Sequence, residues 1–162
     1  KKINDVKKNI NQKELLVLFN DHEKHLFEKL DKIKYYPTGI CHGDLTLSNM
    51  IIKNNKIYLI DFLKTYNDSI LQDLSKIYQE FILGWSSRFL SRSNIIRSKI
   101  IYENIINKNY FNSLPKNILI SLDFEIILTL LRIFPYVKRN DLKTIKWLKE
   151  SLIKIKKLNN KF

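Results

Sequence analysis

Three oxygen-bearing side chains cluster around a predicted tight turn. His42-Gly43-Asp44-Leu45-Thr46-Leu47-Ser48-Asn49 leads into Met50-Ile51-Ile52, and Ile57-Tyr58-Leu59-Ile60 leads into Asp61-Phe62. Both apolar runs are β-rich, and Asn54-Asn55 between them is a hairpin signal. A hairpin centred there pairs residues whose numbers sum to about 109, so Asn49 faces Ile60 and adjoins Asp61. Two oxygen donors then meet at the open end of one hairpin. Magnesium suits such a place, because it takes one or two protein oxygens and completes its shell with water and phosphate oxygens. Asp44, in the loop just before, is placed to accept a proton from a hydroxyl aimed at the metal-bound phosphate. The plain alternative is that Asp and Asn only punctuate turns.

Other chemistry-bearing residues read more simply. His22 and His25 flank Glu23 but stand three apart, whereas a zinc-protease helix needs histidines four apart, so they are expected to be surface or half-buried. Cys41 beside His42 reads as an inert core thiol, and a single cysteine excludes an intrachain disulfide framework. Tyr78, Phe81, Trp85 and Phe89 recur at helical spacing, which means core; a cation-binding aromatic pocket is the sharper alternative. Lys149, Lys154, Lys156, Lys157 and Lys161 read as a solvated helix end whose charge favours the dipole, against a membrane or nucleic-acid surface.

The elements that must position these residues are mainly helical. Asn11 with Glu14 resembles a capping box, and Leu15, Phe19, His22, Leu26, Leu30 and Ile33 share one face, predicting a helix over 11–34 that stops at Tyr36-Pro37. Ile40-Cys41-His42 reads as a short strand, and the loop and hairpin occupy 40–62. Beyond Ile70 the predicted helices are Leu71 to Phe89, Asn94 to Lys108, Lys116 to Phe134 and Asp141 to Leu158, the last with Leu142, Ile145, Leu148, Leu152 and Ile155 on one stripe. The fold class is mainly α with a small β-hairpin (α+β), as a single domain over 1–162.

H-x-D, four residues, Asn, then an apolar strand ending in Asp-Phe resembles the catalytic and metal-binding part of the protein-kinase-like fold. His-Gly-Asp in place of His-Arg-Asp is similar to the branch holding aminoglycoside phosphotransferases and choline or ethanolamine kinases. The resemblance implies Asp44 as catalytic base, Asn49 and Asp61 as ligands of Mg2+, His42 as structural support of the loop, and ATP as phosphate donor. It also implies that Asp73, in Asp73-Leu74 of the following helix, buttresses the loop. Phe62 is followed by Leu63 where protein kinases have Gly. Only 39 residues precede the motif strand, where the family places a β-rich ATP-clamping lobe. The resemblance therefore implies a C-terminal lobe alone, with 70–158 as a helical substrate subdomain, the N-terminal lobe as a missing partner, and an inactive isolated chain; it marks no nucleotide-binding residue.

At 162 residues and 44% hydrophobic the chain is one core-forming domain and not a disordered one, and 3 Gly exclude a glycine-rich phosphate loop. The net charge of +13 suggests an anionic partner, but Lys, Ile and Asn are over-used and Ala is absent, the bias of an AT-rich genome. A basic helical nucleic-acid-binding domain is a second alternative resting on charge alone, and no nucleic acid is expected. A non-catalytic kinase-like binding module is the first. No signal peptide or membrane span is visible, which fits a cytoplasmic protein; the opening Lys1 suggests a piece of something longer. The leading expectation is transfer of a phosphoryl group to a hydroxyl of a small molecule: an aminoglycoside, choline or ethanolamine, or a sugar or amino-alcohol of surface polysaccharide synthesis.

Overall fold

A computed structural model describes residues 2–10, 12–64, 68–91, 96, 100 and 111–159. The predicted helix from Asn94 to Lys108 lies almost wholly outside the described residues. Helix α1 (Lys2–Lys8) precedes α2 (Lys13–Leu30), whose buried stripe is Leu15, Phe19, His22, Leu26 and Lys29. Two boundaries differ from the 11–34 reading. Gln12 is the N-cap residue and makes no side-chain cap, and Asn11 lies outside the described residues. At the other end the turn tightens, with Lys32 N bonding Lys29 O and Ile33 N bonding Leu30 O, so the helix closes four residues early. The stripe also shifts: Lys29 is buried against Asp123 at 3.2 Å, and Leu30 is exposed. A lysine on a buried face is invisible to apolar periodicity.

Strands β1 (Met50–Lys53) and β2 (Lys56–Leu59) pair antiparallel, Met50 with Leu59 through Lys53 with Lys56. Asn54 and Asn55 both have positive φ (50° and 59°), the mirror-image turn that matches strand twist. Ile40-Cys41-His42 is not a strand among the described residues: the backbone N–H groups of His42 and Gly43 bond a carboxylate instead of a neighbouring chain.

Helix α3 (Ile70–Phe81) opens with Ser69, whose Oγ accepts Leu71 N at 3.2 Å. It stops well short of Phe89. Gly84 at φ +73° turns the chain, a Cβ there would lie 2.7 Å from Ser87 Oγ, and a 3-10 turn takes up Ser86–Phe89. Helix α4 (Lys116–Leu131) packs on both α2 and α3. It is apolar nearly all round, as a central helix must be, and buries Leu122, Ile126, Ile127, Leu130 and Leu131. The sequence carries it to Phe134, but a 3-10 turn over Phe134–Tyr136 takes Pro135 instead.

Helix α5 (Leu142–Asn159) buries Trp147, Leu148, Leu152 and Ile155; Leu142, assigned to that stripe, is 72% exposed. Asp141 caps this helix and does not begin it: its Oδ1 accepts Thr144 N at 3.0 Å, and the Thr144 hydrogen bonds hold its carboxyl below the usual range. The architecture is mainly α with one two-stranded antiparallel sheet. Among the described residues no helix is long and apolar enough to cross a membrane.

Candidate active site

Helix α3 grips the loop before the hairpin. Asp73, in its first turn and 5% exposed, accepts His42 N through Oδ2 at 2.7 Å and Gly43 N through Oδ1 at 2.9 Å. Two charge-assisted bonds offset the cost of burying the carboxylate. Gly43 has φ +83°, a conformation that favours glycine and turns its N–H toward the same group as its neighbour's. Gly39 N bonds Asp68 O at 2.7 Å and Ser69 Oγ donates to Pro37 O at 2.6 Å, so the segment entering the loop is also tied to the start of α3.

His42 joins the loop to the far side of the hairpin. Its ring lies 2.7 Å from the Ile60 carbonyl through Nε2 and 3.3 Å from Asp44 N through Nδ1. A carbonyl only accepts and a backbone N–H only donates, so the partners put the proton on Nε2. The ring also stacks on Phe62, centroids 4.3 Å apart, and Leu63 N bonds His42 O at 2.9 Å. Asp61, between these contacts, is held at φ +59°, a left-handed conformation that Asp tolerates better than most residues.

Asp44 and Asn49 are brought together. The Asn49 amide donates to Asp44 O at 2.8 Å and to Asp44 Oδ2 at 3.2 Å, and a 3-10 turn over Leu47–Asn49 supports it. Using Nδ2 this way leaves Oδ1 for another partner, and no described residue donates to it. Ile60 N bonds Asn49 O at 3.1 Å, which places Asp61 one residue beyond the last rung opposite Asn49. The Asp61 carboxylate is exposed and engages no described residue. An amide oxygen and a carboxylate with no partner among the described residues are suitable donors for a hard divalent cation that keeps water and phosphate ligands. Among the described residues no three His, Cys, Asp or Glu side chains converge on one point.

One charged neighbour escaped the sequence reading. Lys76 Nζ lies 2.9 Å from Asp44 Oδ1, with both side chains partly buried. Nothing distinguishes this lysine in a chain with 29 Lys+Arg, except that it follows Asp73 by one turn of α3 and so shares its face.

Other candidates lie elsewhere. Tyr78 packs edge-on against Phe111, while the Arg88 guanidinium sits 3.4 Å from the Trp85 ring centroid and 4.1 Å from that of Phe89. The protein's own cation thus covers those faces. His22 is buried and not at the surface; its Nδ1 bonds Leu18 O at 2.8 Å, and desolvation lowers its pKa. Cys41 is half-buried and is not in a disulfide. Of the terminal lysines, Lys149 pairs with Glu14 at 3.6 Å and Lys154 donates to Ile82 O at 3.2 Å, whereas the side chains of Lys157 and Lys161 lie outside the described residues.

A family model described as a phosphotransferase enzyme family matches residues 4–94, which takes in the loop, the hairpin and α3. The "Probable bifunctional tRNA threonylcarbamoyladenosine biosynthesis protein" of Methanosarcina mazei is 39% identical over 44% of this chain and 17% of its own length. The KEOPS complex subunit Bud32 of Pyrococcus abyssi is 53% identical over 23% of this chain and 17% of its own. The chain thus covers less than a fifth of either relative. No solved structure matches it.

Proposed function

This chain belongs to the phosphotransferase enzyme family, and we propose that it carries the acceptor-activating and metal-holding part of an ATP-dependent transfer to a hydroxyl of a small molecule. The observation that carries the reading is the fixing of Asp44. Its backbone N–H, its carbonyl and both carboxylate oxygens have partners, yet its side chain is 31% exposed and open to an acceptor.

In this reading Asp44 orients the acceptor hydroxyl and takes its proton. The acceptor oxygen forms a bond to the γ-phosphorus as the bond from that phosphorus to the bridging oxygen breaks, and ADP leaves. Asn49 Oδ1 and the Asp61 carboxylate would hold magnesium, which supplies charge neutralisation of the phosphate oxygens. His42 and Asp73 act on the loop, not on the substrate. Most of the rate then comes from positioning and electrostatics.

Support for a small hydroxyl acceptor is the His42-Gly43-Asp44 form of the loop and Leu63 after Asp61-Phe62. Arg88 over Trp85 and Phe89 argues against a quaternary ammonium held on those two rings. The test is phosphoryl transfer by the full-length protein from labelled ATP to a panel of aminoglycosides, amino-alcohols and sugars. One acceptor should be labelled, and Asp44→Ala should reduce kcat by about 100-fold or more while leaving nucleotide affinity in place. An Asp44→Ala enzyme working at the wild-type rate would remove this loop from the chemistry and leave a non-catalytic binding module as the reading.

A further inference from the structure

The geometry points to Lys76 as the positioning residue of Asp44, a role that rests on the proposed function and adds a residue to it. Four side chains fix the loop from two directions. From the hairpin side, His42 Nδ1 accepts the Asp44 N–H and the Asn49 amide donates to Asp44 O and Oδ2. From the helix side, Asp73 accepts the N–H groups of His42 and Gly43, and the Lys76 ammonium, one turn further along the same face, pairs with Asp44 Oδ1 at 2.9 Å.

The two helix contacts are not equivalent. Asp73 fixes backbone, so it sets where the loop runs. Lys76 alone reaches the carboxylate from α3, so it sets the rotation of that group about its Cβ–Cγ bond. With Oδ1 occupied by an ammonium and Oδ2 reached by one amide N–H at 3.2 Å, the lone pairs left for an acceptor hydroxyl lie mainly on Oδ2. Without Lys76 the carboxylate keeps, among the described residues, only the longer amide contact and can turn. A base turned out of line loses transition-state geometry more than it loses ground-state binding. Lys76 itself is 19% exposed on its side chain, enough to be held and not enough to be a freely solvated surface lysine.

Turnover of ATP with water as acceptor, read as ADP release from the full-length protein, tests this without knowledge of the natural acceptor. Lys76→Met should lower kcat by about tenfold or more with KM for magnesium-ATP changed less than about twofold, because uniform binding is untouched. Lys76→Arg, which restores a cation of similar reach, should recover most of the loss. Introduced into an Asp44→Asn protein, Lys76→Met should cost nothing further, since it acts only through that carboxylate. The affinity for magnesium-ATP, measured by titration calorimetry, should be the same in wild type and Lys76→Met. A wild-type kcat in Lys76→Met, or an equal additional loss in the Asp44→Asn background, overturns the inference while Asp44 keeps its role. A wild-type rate in Asp44→Asn alone removes the proposed function, and the role of Lys76 with it. Thermal melts accompany each variant, and Lys76→Gln carries the same test where Lys76→Met does not fold.

Discussion

The two carboxylates at the hairpin differ in what surrounds them, and that difference predicts different losses. Asp44 is held by Lys76, Asn49 and His42, whereas Asp61 is exposed, at φ +59°, and engages no described residue. A residue kept in an uncommon backbone conformation at a site is a reason to look for function there. Asp61→Asn keeps a side chain that tolerates this conformation and removes only the charge, so the melting temperature should stay put within the effect of about 0.5 kcal/mol usual for surface changes. Binding of manganese as a paramagnetic magnesium surrogate, followed by water proton relaxation in the full-length protein with ATP present, should weaken by about tenfold or more through loss of an anionic ligand. Unchanged manganese binding would strike Asp61 from the metal set. The sequence displays these candidates through spacing around a turn. It does not display Lys76, because pairing it with Asp44 depends on the register of a helix that begins 26 residues later.

Helices are the scale at which the sequence reading is most right in kind and least right at the ends. Apolar periodicity finds α2, α3, α4 and α5, but not α1. It misses where polar groups enter the core, as Lys29 with Asp123 does on α2, and where a local device stops a helix, as Gly84 does after α3. Two predictions test such polar insertions. Asp73→Asn replaces an acceptor of two backbone N–H groups with a group that can accept only one, leaving a buried donor unmet; the chain should lose about 1–3 kcal/mol in a urea titration. A loss below the error of the fit would mean that α3 does not hold the loop.

Glu125 on α4 is the second case. Burial raises its pKa, against the lowering by the Tyr36 hydroxyl that bonds it and by Arg132. A carboxyl whose folded pKa lies above its unfolded value binds more protons in the folded state between the two. Stability therefore falls as pH rises through that interval, and the penalty is complete above the folded value. Glu125→Gln removes the penalty while its amide oxygen still accepts from Tyr36. The variant should melt above wild type at pH 7, and the gap should close as pH falls below the unfolded Glu value of about 4.3. A variant less stable than wild type at pH 7 would show that the charged form is favoured in place.

For the whole molecule, the protein-kinase-like fold that family membership implies was legible in the sequence because its motif residues sit within one short stretch. The packing around that stretch was not legible. The helices share a continuous core running through Phe19, Leu71, Leu130 and Leu148, each fully buried. The hairpin does not share in it: Ile51, Ile52, Ile57, Tyr58 and Leu59 are all exposed, Ile52 at 76%, as are Phe62 and, at 96%, Ile40. A two-stranded hairpin with both faces wet gains little from burial, and what holds it is the His42 bond to Ile60, the Phe62 stack and the turn. A core complete without the hairpin and a site placed on the hairpin lead to opposite expectations for folding and for binding. The 162-residue chain should unfold cooperatively on heating, through its helices. It should also bind magnesium-ATP no tighter than about 1 mM by calorimetry, because one side of a site with charge on it but no enclosing surface supplies only a few kcal/mol. An apolar dye such as anilinonaphthalene sulfonate should bind the native chain, and Ile52→Lys with Ile57→Lys should abolish that binding without lowering the melting temperature. Tight nucleotide binding by this chain alone would mean that the loop, hairpin and α3 form a sufficient clamp.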